Sequence, residues 1–147
     1  MQEQVAAVQS VVARVAHHID AKRWDELRRL YADEVETDYT SLFGGTPRRQ
    51  PGDDLIAGWR GALRVVSTQH LLGPIDVSID QDSATADCHV RAWHLVPGAP
   101  GGEEWVVGGH YRFVLARTEG VWRITAMTLE TLQQTGNRNL LAEAASL

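Results

Sequence analysis

A single cysteine, Cys88, in 147 residues leaves nothing for an internal disulfide framework or a cysteine-based zinc cluster. Basic residues are also short. Fourteen Lys and Arg against nineteen Asp and Glu give a net charge of -5, which is no electrostatic footprint for nucleic acid. No apolar run reaches the length that spans a bilayer, and the N-terminal "MQEQVAAVQSVV" has polar and acidic residues where a signal peptide has basic ones. The expectation is a soluble, cytoplasmic chain with no nucleic-acid or membrane partner. Phosphate cradles are missing, because no Gly-rich loop carries the required spacing and lysine. No G-x-S-x-G elbow supports Ser41 as a nucleophile. The nearest histidine pairs do not converge: His17 and His18 are adjacent on a helix, and His89 and His94 fall on opposite faces of a strand by parity. No metal and no cofactor are expected.

What remains is ordinary globular usage, 44% hydrophobic and 22% charged, in a length that suits one domain over residues 1–147. Val5, Val8, Val12, Val15 and Ile19 recur at steps of three and four, predicting a helix that ends near Asp20. A short second helix carries Trp24, Leu27 and Leu30. An extended stretch, "DEVETDYTSLF", then runs into a Gly-Gly-Thr-Pro loop. The third helix, "GDDLIAGWRGALRVV", has Asp53 or Asp54 to cap it and repeats Leu55, Trp59, Leu63 and Val66.

The period then changes to two. Ile75, Val77 and Ile79 share one side of a strand. After a "DQDS" turn, Ala84 to Val96 alternates an apolar face with one bearing Asp87, His89, Arg91 and Trp93. Further strands follow from Glu103 to Arg117 and from Val121 to about Thr131, and the tail beyond about 132 is read as a short helix or frayed. Three N-terminal helices followed by long antiparallel strands predict an α+β domain. A strongly curved sheet closed by helices would hold a pocket on its concave face.

Acid–base chemistry by side chains is the kind the residue types support. A histidine oriented by a carboxylate is a base near neutral pH. Asp20, at the end of an apolar helix face, and His70, where helix gives way to strand, are the candidate pair, and Tyr39 offers a phenolic donor for a substrate oxygen. Pattern alone leaves plainer roles open: Asp20 as a helix-end residue, His70 as a strand-start residue, Tyr39 as a packed ring. Trp24 and Trp59 are candidates to wall a pocket, with Val90, Ala92, Val96, Met127 and Leu129 as its apolar side.

Four stretches resemble the NTF2-like or SnoaL-like cone fold, and within it the scytalone dehydratase family. "IDAKRW" is similar to the segment whose aspartate precedes the second helix, which falls on Asp20. "DYTSL" places a substrate-oriented tyrosine at Tyr39, "TQHLLG" a general-base histidine at His70, and "EGVWRI" matches the turn into the last strand. The chain departs from that family at Ile19, where a tyrosine stands, at Gly98, where a histidine follows Val-Pro, and at Tyr111, where an asparagine stands.

The resemblance implies a cofactor-free dehydratase acting on a hydrophobic cyclic hydroxyketone or polyketide-like molecule. Catalytic roles fall to Asp20, His70 and Tyr39. Substrate contacts fall to Trp24, Leu42, Trp59, His94, Tyr111, Met127 and Leu129. An isomerase or cyclase using the same dyad is the alternative, as is a non-catalytic small-molecule-binding module. It further implies a homodimer or homotrimer, with the Asp87, His89, Arg91 and Trp93 face as contact surface.

Overall fold

The computed structural model describes all 147 residues. Helix α1 (Gln2–Asp20) forms on the predicted stripe: Val8, Val12, Val15 and Ile19 are buried. Val8 and Val12 lose all exposure, each contributing roughly 2 kcal/mol of hydrophobic stabilisation. The helix stops at Ala21, and Lys22 follows with a φ of 56°. That turn aims the Lys22 ammonium at the Leu63 carbonyl, 2.6 Å away.

Beyond α2 (Trp24–Arg29) the chain departs from a simple helices-then-strands order. Two strands, β1 (Tyr31–Asp38) and β2 (Arg48–Pro51), are interposed, with the single turn α3 (Thr40–Phe43) between them, before α4 (Gly52–Ala62). β2 pairs antiparallel with β1, and β1 pairs parallel with the last long strand. Neither Asp53 nor Asp54 caps α4. Its N-cap is Pro51, and the Asp53 carboxylate instead accepts a 2.6 Å bond from the Arg28 guanidinium. Arg28 also donates to the Tyr31 carbonyl at 2.9 Å, so it clamps the start of α4 to β1. A Cβ at Gly52 would lie 2.6 Å from the Ala32 carbonyl oxygen, which is why glycine begins α4.

α4 ends at Ala62, earlier than the Leu63 and Val66 repeat suggests, and Val66 is buried just before a strand. β3 (Ser67–Leu72) and β4 (Asp76–Asp80) both pair with β5 (Ser83–Leu95): β3 along Val90–Leu95, β4 along Ser83–Asp87. His70 therefore lies inside an edge strand, not at a helix–strand boundary. β6 (Glu104–Thr118) and β7 (Val121–Gly136) complete a seven-stranded sheet in the order β2-β1-β7-β6-β5-β3. The result is a curved, unclosed sheet with the N-terminal helices packed against it, the α+β cone that the sequence predicts.

β7 runs five residues beyond Thr131, to Gly136, because its polar end continues to pair with β6 through Trp105. The register slips at Gly108/Gly109, where a Cβ on Gly109 would meet the Glu130 carbonyl oxygen at 2.3 Å. Such a bulge increases local twist and helps the sheet curl. Helix α5 (Leu140–Ala144) closes the chain with Leu140 fully buried. It is clasped by Asn137, which donates to Glu143 at 2.6 Å and to the Gly102 carbonyl at 2.9 Å. No helix is long and apolar enough to cross a membrane.

Candidate active site

α1 and β3 meet at Asp20, and their meeting builds a hydrogen-bonded cluster. The carboxylate accepts three bonds: from the His70 ring through Nδ1 at 2.7 Å, from the His70 backbone N–H at 2.8 Å, and from the Thr68 hydroxyl at 2.8 Å. Thr68 and His70 share a face of β3 because side chains alternate along a strand. Asp20 closes α1, where the helix dipole disfavours negative charge. Burial also works against the charged form, but the bonds from His70 and Thr68 prevail and hold the Asp20 carboxyl below the ordinary carboxylate range. An ionised carboxylate can only accept. The proton in the pair therefore sits on Nδ1 of His70, and in the neutral ring the free lone pair is on Nε2.

The His70 ring is 10% exposed and lines a cavity of about 670 Å³ between the concave face of the sheet and α4. A second imidazole, His94 on β5, stands edge-on to it with ring centroids 6.2 Å apart. The Trp105 carbonyl lies 3.1 Å from Nδ1 of His94, which fixes the proton on that nitrogen. Burial is the main force on His94 and pushes its pKa down to about 4, so the ring is neutral at ordinary pH and Nε2 is an acceptor.

Phenols supply donors. Tyr39, between β1 and α3, and Tyr111 on β6 both line the cavity, and burial raises both well above the usual phenol range. The Tyr39 hydroxyl donates to the Met127 thioether at 3.5 Å, and the fully enclosed Tyr31 does so at 3.6 Å from behind. Sulfur is a weak acceptor, so a substrate oxygen near Tyr39 would compete easily for that proton.

The other expected residues divide. Leu42, Trp59, His94, Tyr111 and Leu129 line the cavity, as do Val90 and Ala92. Trp24, Met127 and Val96 do not. Trp24 is half-buried against the core, Val96 is buried in the core, and Met127 lies behind Tyr39 as a hydrogen-bond acceptor. Ile19 faces the cavity as an apolar residue. Ser41 carries no base: its hydroxyl donates to the Leu129 carbonyl at 2.7 Å and anchors α3 to β7. No group of three or more His, Cys, Asp or Glu side chains is placed to hold a metal. Cys88 is buried, and that burial raises its thiol to about 11.

Sequence reasoning missed Thr68, Thr37, Arg48 and Trp105. Thr68 was within reach, two residues before His70 on the same strand face. Thr37 and Arg48 become neighbours only through the β1–β2 pairing, and no periodicity marks that. Asp87, His89, Arg91 and Trp93 lie on the opposite, convex side, away from the cavity.

Known proteins agree with this architecture. The chain superposes on a protein of Kribbella flavida with a TM-score of 0.89 at 30% identity, covering 96% of this chain and 98% of that one. A protein of Novosphingobium aromaticivorans proposed to be a scytalone dehydratase matches with a TM-score of 0.78 at 20% identity, over 92% and 89% of the two chains. In sequence, a dehydratase of Pestalotiopsis microspora is 29% identical over 121 residues, 76% of each chain. The family match spans residues 2–128, nearly the whole cone, and the chain accordingly belongs to the SnoaL-like domain family.

Proposed function

We propose that the chain is a lyase that eliminates water from a hydrophobic, ring-containing hydroxyketone or polyketide-like molecule, using its own side chains for every proton transfer. The observation that carries this reading is the 2.7 Å contact between Asp20 and the ring of His70, a residue that lines a mainly hydrophobic cavity. Its dehydratase-named relatives support the reaction class.

His70 Nε2 removes a proton alpha to the substrate carbonyl, and the C–H electron pair moves toward the carbonyl oxygen. Ionised Asp20 stabilises the imidazolium that results, as in other carboxylate-oriented histidine bases. Tyr39 and Tyr111, held neutral by burial, donate to the oxygen as it becomes enolate-like. The electrons then return to form the carbon–carbon double bond, the β-hydroxyl leaves, and imidazolium His70 returns its proton to it as water. His94, a neutral acceptor, orients that hydroxyl. Leu129, Val90 and Trp59 exclude water and hold the ring.

The test is turnover of a panel of cyclic hydroxyketones followed by mass, with wild type, His70→Ala and Asp20→Asn compared. The reading requires loss of water from a panel member by wild type and a fall of at least roughly a hundredfold in both folded variants. Tight binding by wild type without turnover would make the cone a binding module instead.

A further inference from the structure

The cavity has polar lining that the dyad does not use. β3, with His70, and β2, with Arg48 and Gln50, are the two opposite edges of the curved sheet, and both edges reach the same cavity. Thr37 on β1 is the register partner of Arg48, and its side chain also lines the cavity although the residue is only 6% exposed. None of these three makes a side-chain hydrogen bond within the protein, and Arg48 has no carboxylate within 4.0 Å, whereas Arg28, Arg112 and Arg117 all do. Arg48 is solvent-exposed and Gln50 half-buried, so these free donors stand at the cavity's mouth on the β2 edge, and such donors beside apolar walls are the features by which pockets select polar groups.

We propose that the cavity takes a ligand bearing a carboxylate or a comparably acidic oxygen at the β2 edge, held by the Arg48 guanidinium with the Thr37 hydroxyl and the Gln50 amide. The proposal rests on the lyase reading only for the role of the His70 end; the anion end stands on its own geometry. A guanidinium meets a carboxylate through two parallel N–H bonds, which a neutral amide cannot match. Asp54, on the first turn of α4, also lines the cavity and is the one acidic side chain that faces it. It forms no ion pair with Arg48, so it disfavours a bound anion without neutralising the arginine. The substrate class is thereby narrowed to a compound that carries an acidic oxygen as well as the eliminated hydroxyl.

Binding is measured with 2-naphthoate and 2-naphthamide near neutral pH, by calorimetry and by quenching of the cavity tryptophans Trp59 and Trp105. Wild type is expected to prefer the acid by roughly tenfold or more. Arg48→Gln should abolish that preference and Asp54→Asn should enlarge it, whereas His70→Asn should leave it in place. Equal affinity for acid and amide, no measurable binding of the acid, or a preference that survives Arg48→Gln would overturn the proposal. Since none of these readouts needs turnover, failure of the lyase reading and failure of the anion end are separately visible.

Discussion

Two histidine pairs sit on opposite faces of one sheet. On the concave side His70 and His94 stand edge to face at 6.2 Å and 73°; on the convex side His89 and His110 stand at 5.6 Å and 81°. The ring geometry is nearly the same, and the surroundings are not. Inside, a carboxylate with three donors fixes one ring and a backbone carbonyl fixes the other, and both rings open on an apolar cavity. Outside, neither imidazole makes a side-chain hydrogen bond, and His89 is exposed. Proximity of imidazoles therefore makes no site; a fixed tautomer and exclusion of water do.

The comparison breaks most sharply at Asp20. Asp20→Asn removes the charge that balances imidazolium, and activity should drop by roughly a hundredfold to ten-thousandfold, measured as kcat/KM on whichever hydroxyketone wild type dehydrates. Next comes the phenol. Tyr39→Phe should lower kcat by about tenfold to a hundredfold, because it removes a donor to the developing oxyanion. Tyr31→Phe, which bonds the same Met127 from outside the cavity, should change kcat less than roughly twofold.

A third test uses stability. The folded pKa of His94 is depressed to about 4 from an unfolded value of 6.5. Between those values the unfolded chain binds the extra proton and the native one does not, so stability falls as pH falls through that window. Asp20, with its pKa lowered by folding, adds a loss at still lower pH, below the ordinary carboxylate value of 3.8. His94→Gln should flatten the limb between pH 6.5 and 4 while leaving the lower one, by on the order of 5 °C in Tm across a pH series. Smallest of all is the outer pair: His89→Ala and His110→Ala should leave kcat/KM within roughly twofold.

Much of this contrast was legible in the sequence. The valine stripe of α1 gave its end at Asp20, and strand parity separated His94 from His89. The sheet's edges were not legible. β3 reads "STQHLL", an edge strand half-wet along its length, so its alternation is too weak to distinguish from a broken helix end. β1 shows inward residues only at Tyr31, Val35 and Thr37, and its parallel pairing with β7 joins segments about ninety residues apart. Such pairings are set by tertiary packing, not by local pattern. Met127 and Trp24 were expected at the cavity from their residue type, but which side of a wall a large side chain takes depends on the curl of the sheet. Asp20 and His70, singled out by chemistry and family resemblance together, lie in hydrogen-bond contact, and Tyr39 lines the same cavity as His70.

The most direct measurement of the central claim is a long-range nitrogen–proton correlation spectrum of the histidine rings near neutral pH, in wild type and in Asp20→Asn. The account predicts a single His70 tautomer, protonated at Nδ1 with Nε2 free, that is lost in the variant. A wild-type His70 protonated at Nε2, or one whose tautomer does not change when Asp20 is replaced, would contradict it.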